Sequence, residues 1–273
     1  MMPEEGTPPL AGRVAIVTGS SSGIGRAIAA ELAGRGMTVV VTSRSEQRAA
    51  ATAAAIEEEG GGRALGVAVE LTEEGGPAAL VDRALGAFGR LDVLVNNAGA
   101  GQVGDSETLA AEDWQRIIDL DLTAPFRCAQ AAARPMLAAG RGVIVNISSL
   151  TGHIGLARRA AYTAAKHGLE GLTKTLGVEW ARRGVRVMSV APAYVDTELL
   201  AATSKAGGFT LDDVARRTPM GRLVEPREVA RVVAFLASDD ASFMTGSSVR
   251  VDGGWLADGG WEGMSPASTE GAR

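Results

Sequence analysis

The sequence predicts an α/β fold, a single doubly wound domain built on a seven-stranded, mainly parallel sheet with helices on both faces. Three observations carry this expectation. Short apolar, β-branched runs recur between Val14 and Val251. The longer stretches between them have apolar residues at helical spacing, as βαβ units require. The first run leads through a glycine-rich turn straight into a helix-forming segment.

The expected strands are 14–17, 38–42, 63–69, 93–95, 143–147, 185–190 and 248–251. Most are apolar on both faces, as strands covered by helices on each side must be. In such a sheet a ligand lies beyond the carboxyl ends of the strands, where strand order reverses. Function is therefore to be sought in the turns that follow them.

At 273 residues the chain suffices for one large core. We read 1–10 as a flexible tail, 11–255 as the catalytic domain and 256–273 as a weakly ordered tail that Trp261 is placed to anchor. The formal charge of -5 and the lack of a Lys/Arg block argue against nucleic acid or an anionic membrane as partner. A small-molecule substrate is expected instead. Cys128 is the only cysteine and reads as a buried structural thiol. The polar first residues lack a signal-peptide core, no apolar run is long enough to span a bilayer, and no metal site is expected. These features fit a cytoplasmic protein.

The first turn is Thr18-Gly19-Ser20-Ser21-Ser22-Gly23-Ile24-Gly25. Glycines there allow the backbone to approach a pyrophosphate, whose charge is then received by the amides opening the helix. A glycine-rich stretch alone is also compatible with a plain turn. After the second strand come Ser43 and Arg44, with no acid to hold a ribose 2′-hydroxyl, and a cation suits a 2′-phosphate. NADP(H) is thus favoured over NAD(H), which stays open because Glu46 follows closely; Glu46 fits better in the first turn of a helix capped by Ser45. Glu70-Leu71 and Asn96-Asn97-Ala98-Gly99 end the third and fourth strands.

The segment 111–137 reads as one long helix, with Trp114, Ile117, Ile118, Leu122, Phe126 and Ala129 forming a core or subunit-interface stripe. The fifth strand ends at Ser148-Ser149, followed by Tyr162 and, four residues on, Lys166. Tyr162 and Lys166 share a helix face. Reduction of a ketone needs a proton for the forming alkoxide, which free tyrosine supplies poorly at neutral pH. An ammonium 4–5 Å away favours phenolate by roughly 3–4 kcal/mol at an effective dielectric of ~20, before desolvation is subtracted. Ser149 adds a neutral hydroxyl for the carbonyl oxygen.

Taken together, Thr18-Gly19-x-x-x-Gly23-x-Gly25, Asn96-Asn97-Ala98-Gly99, Ser149, Tyr162-x-x-x-Lys166, Ala191-Pro192 and Val251-Asp252-Gly253-Gly254 resemble the short-chain dehydrogenase/reductase family, with its Rossmann-type fold. The resemblance implies that Ser149 positions substrate, Tyr162 is the acid/base, and Lys166 tunes it while holding the nicotinamide ribose. It further implies Gly19 to Ser22 at the pyrophosphate, Glu70 and Leu71 at the adenine, Asn97, Ala98 and Gly99 along the adenosine and ribose, and Pro192, Val195 and Thr197 near the carboxamide. A homotetramer or homodimer is the implied assembly. The implied chemistry is ketone–alcohol interconversion with a nicotinamide cofactor, as in 3-oxoacyl thioester reductases; NAD-linked sugar-acid or polyol dehydrogenases, an enzyme using the site for dehydration or epimerisation, and a non-catalytic cofactor-binding regulator are the alternatives.

Three positions depart from the family pattern. Asp121-Leu122-Thr123 replaces an Asn-Leu-Thr, Pro192-Ala193 replaces Pro-Gly, and Glu70-Leu71 replaces Asp-Val. Only Asp121 bears on mechanism: its main-chain carbonyl is retained, whereas its side chain either opposes the field of Lys166 when ionised or donates like an amide when protonated. The segment between Glu198 and Met220, rich in Ala and Gly, is expected to be a mobile substrate flap. Arg158 and Arg159 are expected at the mouth of the pocket, either as anion binders or as solvated surface cations.

Overall fold

In the computed structural model, which describes residues 10–60 and 62–260, seven strands lie in the order β3-β2-β1-β4-β5-β6-β7. They are β1 (Val14–Val17), β2 (Thr38–Ser43), β3 (Ala64–Ala68), β4 (Val93–Asn96), β5 (Gly142–Ile147), β6 (Val185–Pro192) and β7 (Ser248–Val251). Every pairing is parallel, where mainly parallel was expected. The order reverses at β1, which pairs with β2 on one side and β4 on the other. That crevice receives the glycine-rich turn.

Side chains alternate across the sheet. Ala15 and Val17 join a core with Ile28 and Leu32 of α1 (Gly23–Gly34), Ile56 of α2 (Glu46–Glu58) and Val229 and Val233 of α9 (Pro226–Ala237). Ile16 and Leu94 face the other way, onto Leu80 of α3 (Gly76–Phe88), Ala132 and Met136 of α5 (Ala124–Ala138) and Trp180 of α6 (Ala160–Ala181). Cys128 belongs to this second core, and burial pushes its thiol up to about 12. Among the described residues no helix is long and apolar enough to cross a membrane.

Four expectations are corrected. The long helix over 111–137 is interrupted: α4 (Ala111–Ile118) passes through a π-helical segment, Asp119–Thr123, before α5 begins. Pro125 has no N–H to return to the Asp121 carbonyl, and Ala124 instead bonds Asp119 O, five residues back. The segment after Glu198 folds as α7 (Glu198–Gly207) and α8 (Leu211–Arg217) rather than as a loop. Thr197 caps α7, Gly208 ends it in the left-handed region at φ 70, and Thr210 with Asp213 closes a capping box on α8.

The expected tails also begin elsewhere. Leu10 is buried in the core and its N–H reaches Arg35 O at 3.2 Å, so the domain starts one residue before 11. Leu256 and Ala257 lie in a turn bound to Asp252 and Gly254, and Asp258 pairs with Arg217 at 3.0 Å. The rest of both tails, Trp261 included, lies outside the described residues.

Candidate active site

A cavity of about 990 Å³ opens along the carboxyl ends of β1, β2, β4, β5 and β6. Gly19, Ser21, Ser22, Gly23, Ile24 and Gly25 form its floor. The turn is too tight for side chains: a Cβ on Gly25 would lie 2.4 Å from Asn97 Nδ2 and 2.5 Å from Gly19 O, and one on Gly19 would lie 2.9 Å from Ala98 Cα. Gly19 and Gly23 adopt φ of 62 and 54. The first turn of α1 contains no acidic residue, and Ser22 makes no side-chain cap, which leaves its amides for an anion. A dinucleotide pyrophosphate fits this floor.

Ser20 is the exception among the expected cofactor residues. It is fully buried, its hydroxyl donates to Val17 O at 2.6 Å and accepts from Thr42 N at 2.9 Å, and it faces away from the cavity. It staples the turn to β2. Asn97 does the same for β4, donating to Thr18 O and Gly19 O while it also lines the cavity.

Ser43, Arg44, Glu70 and Leu71 line the end expected to take adenosine, together with Arg48, which the sequence reading passed over. Ser45 caps α2 by accepting from Arg48 N, and Glu46 sits in that helix's first turn, away from the cavity lining. Neither Arg44 nor Arg48 has a carboxylate within salt-bridge distance among the described residues. Burial works against the Glu70 charge, but bonds from Thr72 and the nearby Arg44 outweigh it and lower the carboxyl's pKa.

At the other end, Ser149, Tyr162, Lys166 and Asp121 line one wall. The Ser149 oxygen accepts from Thr151 N at 3.2 Å, which leaves its own O–H to donate. Tyr162 lies in the first turn of α6, with Lys166 one turn further on. Lys166 Nζ donates to Ile147 O at 3.1 Å, lies 5.5 Å from the centre of the Tyr162 ring, and stands 3.5 Å from Asp121 Oδ2. Burial disfavours the Lys166 charge, but Asp121, Tyr162 and Glu170 outweigh it and keep its pKa above the ordinary value.

Asp121 is wholly buried in the π-helical segment. Its Oδ1 accepts from Ala100 N at 2.9 Å, which ties the turn after β4 to this segment. Burial pushes the carboxyl's pKa up, and Lys166 and the Ala100 amide pull it partly back. Gly99 passes directly over this carboxylate, where a Cβ would meet Oδ2 at 3.1 Å.

Two buried polar clusters stand behind the wall, and of their residues the sequence motifs singled out Asn96 alone. Asn96 Nδ2 donates to Asn146 Oδ1, and Asn146 Nδ2 to Thr173 Oγ1, both at 2.9 Å, which locks β4, β5 and α6 together. Glu170, one turn beyond Lys166, accepts from Ser189 and Ser248. Its position four residues after Lys166 was the available clue.

Pro192, Val195 and Thr197 line the cavity beyond β6, as Ala98 and Gly99 do beyond β4. Tyr194 stands among them, braced by Phe209 and Trp255 with ring centres at 5.8 and 5.1 Å. The two arginines separate. Arg158, at φ 62, turns outward to Asp105 at 2.9 Å, whereas Arg159 is buried and lines the cavity.

Known proteins resemble this chain in sequence and in fold. A family model described as enoyl-(acyl carrier protein) reductase matches residues 19–256. The chain is 46% identical over 246 residues to cis-4-hydroxycyclohexanecarboxylate dehydrogenase of Sinomonas cyclohexanicum, covering 90% of this chain and 97% of that one. It is 42% identical to a 3-oxoacyl-[acyl-carrier-protein] reductase of Vibrio cholerae, covering 90% and 98% of the two chains. The crystal structure of a gluconate 5-dehydrogenase from Burkholderia cenocepacia, in complex with NADP and tartrate, superposes with a TM-score of 0.86 at 33% identity, over 92% of this chain and 99% of the other. With the glycine turn, Asn97 to Gly99, Ser149, Tyr162 and Lys166 lining one cavity, the chain belongs to the short-chain dehydrogenase/reductase family of NAD(P)-dependent oxidoreductases that act on CH–OH groups.

Proposed function

We propose that this domain interconverts a secondary alcohol and a ketone, with Tyr162 as the general acid/base. The observation that carries this reading is that Ser149, Tyr162 and Lys166 line the same cavity as the glycine turn of α1. Bound there, a nicotinamide cofactor supplies or accepts the hydride. Ser149, its oxygen held by the Thr151 amide, donates a hydrogen bond to the substrate oxygen. Tyr162 gives a proton to that oxygen in reduction and removes it in oxidation. Lys166 keeps a positive charge beneath the Tyr162 ring and holds its position through Ile147 O. The buried Lys166 charge set beside Tyr162 and Ser149 argues against a regulator without turnover, which has no need of it.

NADP(H) is the preferred cofactor in this reading. Arg44 and Arg48 both line the adenosine end, and no carboxylate stands at the end of β2 to hold a free 2′-hydroxyl. Trp114 and Phe126 of the α4–α5 stripe are each 39% exposed, which suits a homotetramer or homodimer that buries them. A panel of alicyclic, hydroxy-acid and 3-oxoacyl thioester substrates, followed by nicotinamide absorbance with both cofactors, tests the assignment. Turnover with NADP(H) that disappears in Tyr162→Phe is expected. Substrate conversion without any absorbance change would favour dehydration or epimerisation.

A further inference from the structure

Arg159 is only 7% exposed, yet it lines the substrate end of the cavity. It has no carboxylate within salt-bridge distance among the described residues, in contrast to Arg158 beside it, which Asp105 neutralises. Its one side-chain hydrogen bond to described residues runs from Nη1 to Gln102 O at 3.1 Å. A guanidinium carries five N–H donors and stays charged in proteins, so most of its capacity is left unused by the described residues. Burial without a counter-ion is costly, and it is the dominant influence pulling Arg159 below its ordinary basicity.

We propose that Arg159 is a specificity-determining residue that binds a carboxylate of the substrate, making the substrate a carboxylate-bearing secondary alcohol or ketone with a compact apolar body. This rests on the oxidoreductase reading above.

Several features narrow the ligand to that class. Arg159 immediately precedes α6, three residues before Tyr162, and the phenols of Tyr162 and Tyr194 both interact electrostatically with it. The anion therefore lies within a small molecule's length of the reacting carbon. One uncompensated cation matches one carboxylate, whereas a phosphomonoester carries a charge of about -1.5 to -2 and calls for a second cation that Arg158 does not supply. Thr203 of α7 provides a further donor: its Oγ1 and Arg159 Nη1 flank Gly101, and a Cβ there would meet them at 3.4 and 3.6 Å. Leu156, Leu200 and the braced ring of Tyr194 line the same cavity as this pair and Tyr162. These surfaces suit a ring or branched alkyl body better than a polyhydroxylated chain, whose hydroxyls would lose their hydrogen bonds to water.

The test compares 4-hydroxycyclohexanecarboxylate with its carboxamide, of the same shape but uncharged, in the wild type, Arg159→Gln, Arg159→Lys and Tyr162→Phe. In the wild type kcat/KM for the acid should exceed that for the amide by about a hundredfold. The ratio should fall to within about fivefold in Arg159→Gln and be partly restored in Arg159→Lys. A wild-type ratio near one, or a ratio unchanged in Arg159→Gln, overturns the proposal and makes Arg159 a structural tie to Gln102. Calorimetry with cyclohexanecarboxylate and cyclohexanecarboxamide on the NADP(H)-saturated enzyme separates this inference from the catalytic one. The wild type and Tyr162→Phe should both bind the carboxylate at least about tenfold more tightly than the amide, whether or not the hydroxy acid turns over. Equal affinities overturn carboxylate recognition even in an active enzyme. If Arg159→Gln does not fold, the wild-type acid-to-amide ratios alone decide.

Discussion

Asp121 Oδ2 stands 3.5 Å from Lys166 Nζ, both groups buried, so the charge beneath Tyr162 faces a carboxyl rather than an amide. Burial raises the Asp121 pKa, and above that raised value the carboxylate offsets part of the Lys166 field. Glu170 adds a second acidic influence on Lys166, and Arg159 a cationic one near Tyr162. Asp121→Asn removes a negative charge, keeps the shape and leaves Glu170 in place. Phenolate formation then becomes easier, so the pH at which alcohol oxidation reaches half its plateau should fall, by up to about one unit. The Asn variant should stay active. An unchanged midpoint would mean that the carboxyl is neutral throughout the working range, and an inactive variant would give Asp121 a chemical role of its own.

Tyr162→Phe should lose at least ~10²-fold in kcat, as removal of a general acid does, with cofactor affinity nearly intact. Lys166→Ala should lower both turnover and affinity, because it removes the bond to Ile147 O and exposes the uncompensated Asp121. Steady-state kinetics with fluorescence titration of the reduced cofactor measures both. Near-normal kcat in Tyr162→Phe would dismiss it as the proton donor.

Arg44→Ala should weaken NADP(H) by roughly ten- to a hundredfold while NAD(H) changes little, the loss of one charge-assisted contact to a 2′-phosphate. Arg48 lines the same end and should moderate the loss, so the double variant should fall further than either single one. Equal losses for both cofactors would show that neither arginine reads the phosphate.

What was legible in the sequence was what sterics and periodicity fix locally. The strand from Val14 to Val17 and the glycines after it follow from apolar run length and from a turn that admits no Cβ. Ser149, Tyr162 and Lys166 were legible by spacing and resemblance. What was missed depends on which way a residue turns. Ser20 shares its turn with Ser21 and Ser22, yet it faces β2 because its hydroxyl bridges Val17 O and Thr42 N. Arg158 and Arg159 are identical in sequence terms and are parted by a single positive φ. The π-helical segment hid inside an apolar stripe that continues on both sides of it. The capping box of Thr210 and Asp213, which opens α8, is a sequence signal that the Ala/Gly composition of the preceding segment does not carry.

The glycine turn gives the sharpest test of cofactor geometry. Gly25 is buried at the start of α1, and its φ lies outside the left-handed range, so Ala would suffer no backbone strain there. Space alone forbids it, since the added methyl would stand 2.5 Å from Gly19 O and 2.4 Å from Asn97 Nδ2. The Asn97 amide is already committed to Thr18 O and Gly19 O, so it cannot swing away without breaking the tie between β1 and β4. Gly25→Ala should therefore cost about 1–3 kcal/mol of stability, as overpacking does, and should weaken both cofactors together because the pyrophosphate floor moves. By contrast Gly34→Ala, where the methyl meets nothing within 4 Å, should leave cofactor binding unchanged. Thermal unfolding and cofactor titration of the two variants measure the difference. Full affinity in Gly25→Ala would show that the turn can open, and that its tightness does not set the pyrophosphate site.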